Sequence, residues 1–349
     1  MTEVVIIPPE RKAEWNRCVE SLDHSTPYHR YDWLEAVSES YGHDVLALAV
    51  EDRGALCALL PLVHMARPLL PGALISLPFC DLGGPIGDSR YFWLLEEQAL
   101  AMSRALGCRS LEIRSRDPVA RVADDSQTAA LHGQKVSMLL ALEEGGERQM
   151  AAFRPKLRSQ IRKAEKNGCR VMLGNNEVLI NDFYQVFCCN MHALGSPVHS
   201  RAFFQAVGRA FGAKALVAVT YLNEQPVAGG IVLRNGPRAA IPWASSLSEY
   251  NRLAPNMLLY WAFLEACAND GVRVFDFGRS TWGEGTFRFK RQWGAQPYRL
   301  EWTDLLAAPE ASGQAGSGRV RELVAGAWRR MPLGMANAIG PVLRKHISL

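Results

Sequence analysis

Residues 215–246 read ALVAVTYLNEQPVAGGIVLRNGPRAAIPWASS, and this stretch decides the fold. Three apolar runs, Ala215–Leu222, Gln225–Arg234 and Arg238–Ser245, are separated by Asn223-Glu224 and Asn235-Gly236. Short turns rich in Asn and Gly reverse a chain tightly, because those residues tolerate positive φ. The pattern predicts an antiparallel three-strand meander. After it, Pro255–Asp270 reads as a helix, with Pro in its first turn and Gly271 just past its end. Val272–Phe277 follows as a buried strand. Upstream, Val136–Leu142 reads as a strand, Gln149–Lys166 as one helix closed at Asn167-Gly168, and Asp182–Leu194 and Arg201–Phe211 as two more helices.

The first third of the chain shows a similar order. Val4–Ile7 is a short strand, and Pro8-Pro9 opens a helix. Asp44–Val50 and Ala55–His64 are β runs joined by a turn at Asp52-Arg53-Gly54. Arg90–Leu106 is a helix stopped by Gly107, and Ser110–Arg114 is a strand. The order predicts a duplicated α+β unit with mixed, mostly antiparallel sheets. Its halves span 1–140 and 141–306, each with the element order of acetyltransferase-like folds. The stretch AAPEASGQAGSG lies within 307–318, which is predicted to be a flexible linker. Residues 319–349 form a helical tail.

Composition excludes several classes. Apolar residues make up 48% and charged residues 21% of the 349, an ordinary globular balance. The eight cysteines are scattered, form no CxxC pair, and share no metal-ligand spacing with histidine. The N-terminus lacks a secretory pattern and no apolar run reaches spanning length, so the expected place is the cytoplasm, peripheral at the inner face of the membrane. The net charge of +4 is uneven. The tail from Arg319 onward holds six basic residues against Glu322 alone, which leaves the body close to neutral.

Four segments carry candidate chemistry. In FRPKLRSQIRKAEKNG (153–168), Phe153, Leu157, Ile161 and Ala164 mark the core face, while Arg154, Arg158, Arg162 and Lys166 form an adjacent cationic row suited to phosphate. In NMHALGSPVHSRAFF (190–204), His199 stands just before a helix, where it could accept a proton. The strand ending at Trp243 and Ser245 runs through Tyr250 to a helix start at Asn256. The Gly-rich RxxGxG/A loop that holds a CoA pyrophosphate at such a position is missing. Finally, FDFGRSTWGEGTFRFKRQWGA (275–295) places Asp276 and Arg279 at a strand end. In open α/β sheets strand ends face the ligand crevice. Lys290 and Arg291 follow on a short helix.

Taken together, these motifs resemble the Fem family of peptidoglycan interpeptide-bridge aminoacyltransferases. They are more similar to the FemAB-like proteins that accompany exosortase/PEP-CTERM exopolysaccharide systems. RSQIRKAEKNG looks like the Fem cationic helix, and GTFRFKRQWGA like its "FK…FG" motif. GSPVHSRAFF, PWASSLSEYN, PNMLLYWAFLEA and FDFGRST look like the exosortase-associated subgroup. The resemblance implies two tandem acetyltransferase (GNAT)-like domains and an acyltransferase that forms an amide. It implies no tightly bound cofactor, with aminoacyl-tRNA, acyl-CoA or an acyl-carrier protein as donor. No coiled-coil arm of the kind found in tRNA-using members is present.

Under this reading, Arg158, Arg162 and Lys290 meet phosphates of a phosphate-bearing donor or acceptor. Trp243, Asn256, Arg279 and Arg291 complete the binding surface. Asp276 or His199 takes the amine proton, and Ser245 or Tyr250 orients the acyl carbonyl. In the tail, Val320, Leu323, Val324, Ala327, Trp328 and Met331 recur at helical spacing beside arginines. That pattern is expected of a helix lying on an anionic membrane, with Trp328 at the interface.

Overall fold

The computed structural model of the protein describes residues 2–67, 70–121, 133–307 and 317–349. The chain begins with β1 (Thr2–Ile6), α1 (Lys12–Ser21), α2 (Tyr31–Tyr41), β2 (Asp44–Asp52), β3 (Ala55–Arg67) and β4 (Leu70–Ile75). A two-residue β5 (Ile86–Gly87), α3 (Phe92–Ala105) and β6 (Ser110–Arg121) follow. The second series is β7 (Lys135–Ala141), α4 (Gly146–Ala152), α5 (Pro155–Lys166), β8 (Arg170–Gly174), α6 (Glu177–Ala193) and α7 (Arg201–Phe211). It continues with β9 (Ala215–Leu222), β10 (Gln225–Asn235), β11 (Arg238–Ser246), α8 (Pro255–Asn269), β12 (Val274–Thr281), α9 (Gly285–Gln292) and β13 (Gln296–Asp304).

The predicted meander forms as β9–β11. The predicted single helix over 149–166 does not. It breaks into α4 and α5 because Pro155 lacks the N–H and pushes Arg154 into extended conformation (ψ 146°).

All the described strands join one sheet in the order β1-β2-β3-β4-β6-β13-β7-β12-β11-β10-β9-β8, with β5 paired to β3. Two junctions in it are parallel, β4 with β6 and β11 with β12. They occupy equivalent places in the two halves, each bridged by a helix, α3 or α8. At the centre the halves trade strands. β13, late in the chain, completes the N-terminal half beside β6, while β7 pairs with β12 in the C-terminal half. β13 and β7 then pair with each other, which closes the seam. The expected division at residue 140 falls at the end of β7.

One face of the sheet carries a core shared by both halves, from Trp15, Trp33 and Val37 through Phe183, Phe203 and Val207. The other face carries two separate cores, one under α3 and one under α5, α8 and α9. In the shared core, α2 faces α7 and aromatic rings interlock. Trp33 stacks on Trp243 at 5.7 Å and meets Phe203 edge-on at 6.1 Å. Such pairs add to the burial energy that holds the halves together.

Two helices, α10 (Ser317–Arg330) and α11 (Leu333–Arg344), form the tail. Most of the predicted linker, 308–316, lies outside the described residues. Trp328, expected at a membrane interface, is buried, because α10 rests on the body by that face.

Candidate active site where the halves meet

β12 carries the centre of the site. Its backbone turns at Gly278, where φ is 72°, and its register against β7 shifts between Asp276 and Arg279. Left-handed backbone of this kind suits glycine, and the bulge re-aims the strand end. Asp276 holds the bulge. Its Oδ1 accepts the Gly278 N–H at 2.7 Å, Ser137 Oγ donates to the carboxylate at 3.0 Å, and Arg116 Nη1 donates at 2.9 Å. One buried carboxylate therefore ties together β12, β7 and β6.

The loop 76–85 of the N-terminal half reaches the same place. Asp81 accepts the Arg279 N–H at 3.0 Å and lies 3.4 Å from the Arg279 Nε. This loop is strained, with Leu77 and Phe79 both at φ 67°. Strain of that sort is retained where the surroundings impose it, and such places cluster at functional sites.

Lys290, on α9, turns inward. Its Nζ donates to the carbonyl oxygens of Gly278 at 3.0 Å and Arg279 at 2.8 Å. Burial lowers its pKa to about 8, against the opposing pull of Asp81 and Asp276. Arg114 and Arg279 both lie over the Trp302 ring, at 4.6 and 4.9 Å. Arg344 arrives from the tail, donating from Nε to His199 Nε2 at 3.1 Å and lying over Phe79. Burial lowers its pKa to about 10. Among the described residues, neither Lys290 nor Arg344 has a carboxylate within 4.0 Å. Lys290 is buried and Arg344 part-buried, each without a carboxylate in ion-pair contact, and a cation so placed would gain from an anion.

The remaining predicted residues fall into three groups. His199 is buried, with Nε2 accepting from Arg344 and Nδ1 at 2.7 Å from the Tyr41 hydroxyl. Burial and the Arg344 charge push its pKa well down, so it is a neutral ring with both nitrogens engaged. This arrangement gives no free nitrogen for the proton acceptor expected from sequence. Trp243 packs in the same aromatic cluster, and Ser245 Oγ accepts from Asn190 Nδ2 at 3.0 Å.

A second group surrounds the start of α8. Asn251, Arg252 and Asn256 line a cleft of about 350 Å³ with Gln160, Lys163 and Phe289. Ala254 holds φ 62° and Pro255 is the first helical residue. The Tyr250 hydroxyl donates to Gln225 Oε1 at 3.0 Å nearby. The cleft has the partial positive charge of a helix start and two cations on its walls, which fits a phosphate. Third, Arg162 and Arg291 are exposed, and Arg158 donates from Nη1 to the Ala151 carbonyl oxygen at 3.2 Å. The cationic row on α5 therefore runs along the outside, and it is Lys163, one position further round, that lines the cleft.

The N-terminal half has its own cavity of about 470 Å³, lined by His29, Gly84, Ile86, Phe92, Arg114 and Arg116 among others. His29 Nε2 lies 3.0 Å from the Gly84 carbonyl oxygen, and burial pushes its pKa to about 4. Asp81, Arg116, Ser137 and Arg344 were missed by sequence reasoning. The run Pro78-Phe79-Cys80-Asp81-Leu82-Gly83-Gly84 is the one local signal for any of them, a constrained loop after a strand.

Residues 151–291 match the Acetyltransferase (GNAT) domain family. The fold is GNAT-like. The match stops before β13 and begins after β7, so both exchanged strands lie outside it. No curated protein matches the sequence. Among solved structures, FemX superposes with a TM-score of 0.68 at 14% identity, covering 87% of this chain and 98% of that one. The C-terminal domain (DUF2156) of a protein named as a lysylphosphatidylglycerol synthetase from Agrobacterium fabrum gives 0.53 at 13% identity, covering 91% and 95%. A tandem GNAT protein from the clavulanic acid biosynthesis pathway gives 0.50 at 12%, covering 87% and 98%. At these identities the likeness concerns the fold. No described helix is long and apolar enough to cross a membrane.

Proposed function

We propose that the chain is an acyltransferase that forms an amide on an amine of a phosphate-bearing cell-envelope or exopolysaccharide precursor. The observation that carries this reading is Lys290, a buried cation with no carboxylate in contact among the described residues, seated on the carbonyl oxygens of Gly278 and Arg279 at the β12 bulge. Such a cation favours a ligand that brings negative charge. The GNAT-like fold supplies the reaction class. The fold is shared with FemX and with the C-terminal domain of a protein named as a lysylphosphatidylglycerol synthetase.

In the reaction, the lone pair of a neutral amine attacks the acyl carbonyl carbon. A C–N bond forms, the C–S or C–O bond to the donor breaks, and the departing thiolate or alkoxide leaves with the proton that the amine gives up. The chain's own part is to position phosphates and stabilise the oxyanion. The cleft at the start of α8, with Lys163 and Arg252, takes a donor phosphate. Lys290 and Arg279 hold the acceptor side or the developing oxyanion. Asp276, already bound to Arg116 and Ser137, fixes the bulge that aims them. An aminoacyl-tRNA, an acyl-CoA and an acyl-carrier protein each offer a phosphate to that cleft.

The test pairs each donor with amine-bearing nucleotide-sugar and lipid-linked acceptors and follows acceptor mass. The expected result is an added acyl mass that Lys290→Ala abolishes. If Lys290→Ala leaves acceptor affinity and its salt dependence unchanged, the phosphate assignment is wrong.

A further inference from the structure

The tail helices are seated on the body by one face, and the seating is tight. α11 buries Ala336 and Gly340, and a Cβ on Gly340 would lie 2.9 Å from Val198 Cγ2. A Cβ on Gly195 would lie 2.7 Å from the Ala325 carbonyl oxygen. His192 Nε2 meets the Met331 carbonyl oxygen at 2.8 Å, and His43 Nε2 meets that of Lys345 at 2.9 Å. The rotation of α11 about its axis is therefore fixed, and so is the face it turns to solvent.

That face is apolar throughout. Met335, Ile339, Val342 and Leu343 recur at i, i+4, i+7 and i+8, with Val342 64% and Met335 53% exposed. From Met331 to Leu343 the chain has no charged residue. On α10, Leu323 and Val324 are also exposed. A stripe of this kind on a firmly seated helix marks an interaction surface.

Charge selects the occupant. Glu322 is the last acid in the chain, and the 27 residues after it hold Arg329, Arg330, Arg344 and Lys345. Arg329 and Arg330 are exposed, and Arg329 shares Glu322. A second copy of this chain would bring two cationic tails together, so the charge disfavours self-association. α11 has 12 residues, well short of the ~20 needed to span a bilayer. We infer that the outward stripe of α11 lays the protein on the surface of an anionic bilayer, with the exposed Arg329 and Arg330 at the headgroups and Arg344 turned inward to His199. Trp328 takes no part in the contact. It is the inward anchor that holds α10 to the body. This inference rests on the tail and stands apart from the acyl-transfer reading.

The experiment is flotation of the full chain with vesicles of phosphatidylcholine, with and without phosphatidylglycerol. The chain should float with the anionic vesicles, more weakly as salt rises, and stay down with phosphatidylcholine alone. Ile339→Glu with Val342→Glu should lower binding at least 100-fold while cooperative unfolding is retained. Arg330→Gln, which touches no packing, should lower it about fivefold, since a basic residue near such a surface contributes about 1 kcal/mol. A wild-type chain that stays down with anionic vesicles overturns the inference. So does a glutamate variant that floats normally, or a dimer that the glutamates dissolve. If the glutamate variant loses cooperative unfolding, Arg330→Gln decides alone, and unchanged affinity overturns the inference.

Discussion

The two halves of the sheet share one plan and use it differently. In each, a parallel junction opens the sheet beneath a bridging helix. In the N-terminal half the opening is plugged by the loop 76–85. Gly83 and Gly84 press against Ser76 and Ser115 so closely that a Cβ would lie 2.3 Å from an oxygen in either case. In the C-terminal half the same place bears Gly278, whose Cβ would find 3.5 Å of room, and the inward amine of Lys290. One half supplies a rigid plug that delivers Asp81. The other supplies the cation and the helix start. Duplication thus yields one site built from unequal contributions, and the exchange of β7 and β13 locks the two together.

The largest test of that division is Lys290→Met. A buried cation whose pKa falls from 10.5 to about 8 carries a burial cost of roughly 3 kcal/mol, which the apolar side chain removes. Two carbonyls lose their donor in exchange. The thermal midpoint should move little, while kcat/KM should drop about a thousandfold if the amine stabilises developing charge. A variant that loses stability and activity in proportion would make Lys290 a structural residue.

The glycines come next. Gly83→Ala drives a methyl into the Ser76 carbonyl oxygen, and backbone does not yield, so a loss of about 3 kcal/mol is expected. Gly278→Ala meets no clash and costs only its left-handed conformation, about 1–2 kcal/mol. Denaturant unfolding of both variants measures the contrast. Equal losses would mean the N-terminal loop is no stiffer than the bulge.

These contrasts also show what the sequence made legible. The meander 215–246 was readable because its turns and its alternation are local. The α8 start and Lys290's short helix were readable for the same reason. β13 was not, because Gln296–Asp304 finds its partners at 110–121 and 135–141, far back along the chain. Asp276 was visible as a strand-end acid, but its partners Arg116 and Ser137 lie 160 and 139 residues away. The cationic row on α5 was visible as a row. That Lys163, outside the row, lines the cleft depends on α8 packing beside it, and that neighbour is invisible to helical periodicity. His199 was read from its place before a helix and Trp328 from helical spacing beside arginines; both are buried, because the packing partners that cover them come from other parts of the chain.

The pH profile sharpens the assignment of Lys290. The amine is charged below its pKa, so the cation disappears as pH rises through about 8 and not at 10.5. If catalysis uses the charged form, kcat/KM should fall about fivefold between pH 8 and 9, once the rise from acceptor deprotonation is divided out. Stability should move the other way. The buried charge costs the fold in full below pH 8, and the cost is relieved between 8 and 10.5, so the protein should resist denaturant better at pH 9.5 than at 7.5 from this group alone. Lys290→Arg keeps its charge over the whole range and should flatten both trends.

The smallest effect belongs to Ala254. It holds φ 62° at the head of α8, where the N-terminal half has no counterpart, and that conformation costs a non-glycine residue about 1 kcal/mol or more. A glycine at this position would relieve the strain in the folded state while loosening the unfolded chain, so Ala254→Gly should change stability by less than about 1 kcal/mol. Its value is in the donor affinity. If the strained turn aims the first free N–H groups of α8 at a phosphate, loosening it should raise the KM for the donor about two- to threefold and leave kcat and the acceptor KM alone. An equal change in both KM values would place the donor elsewhere than the α8 cleft, and the two halves would then have to be compared again with the N-terminal cavity as the donor site.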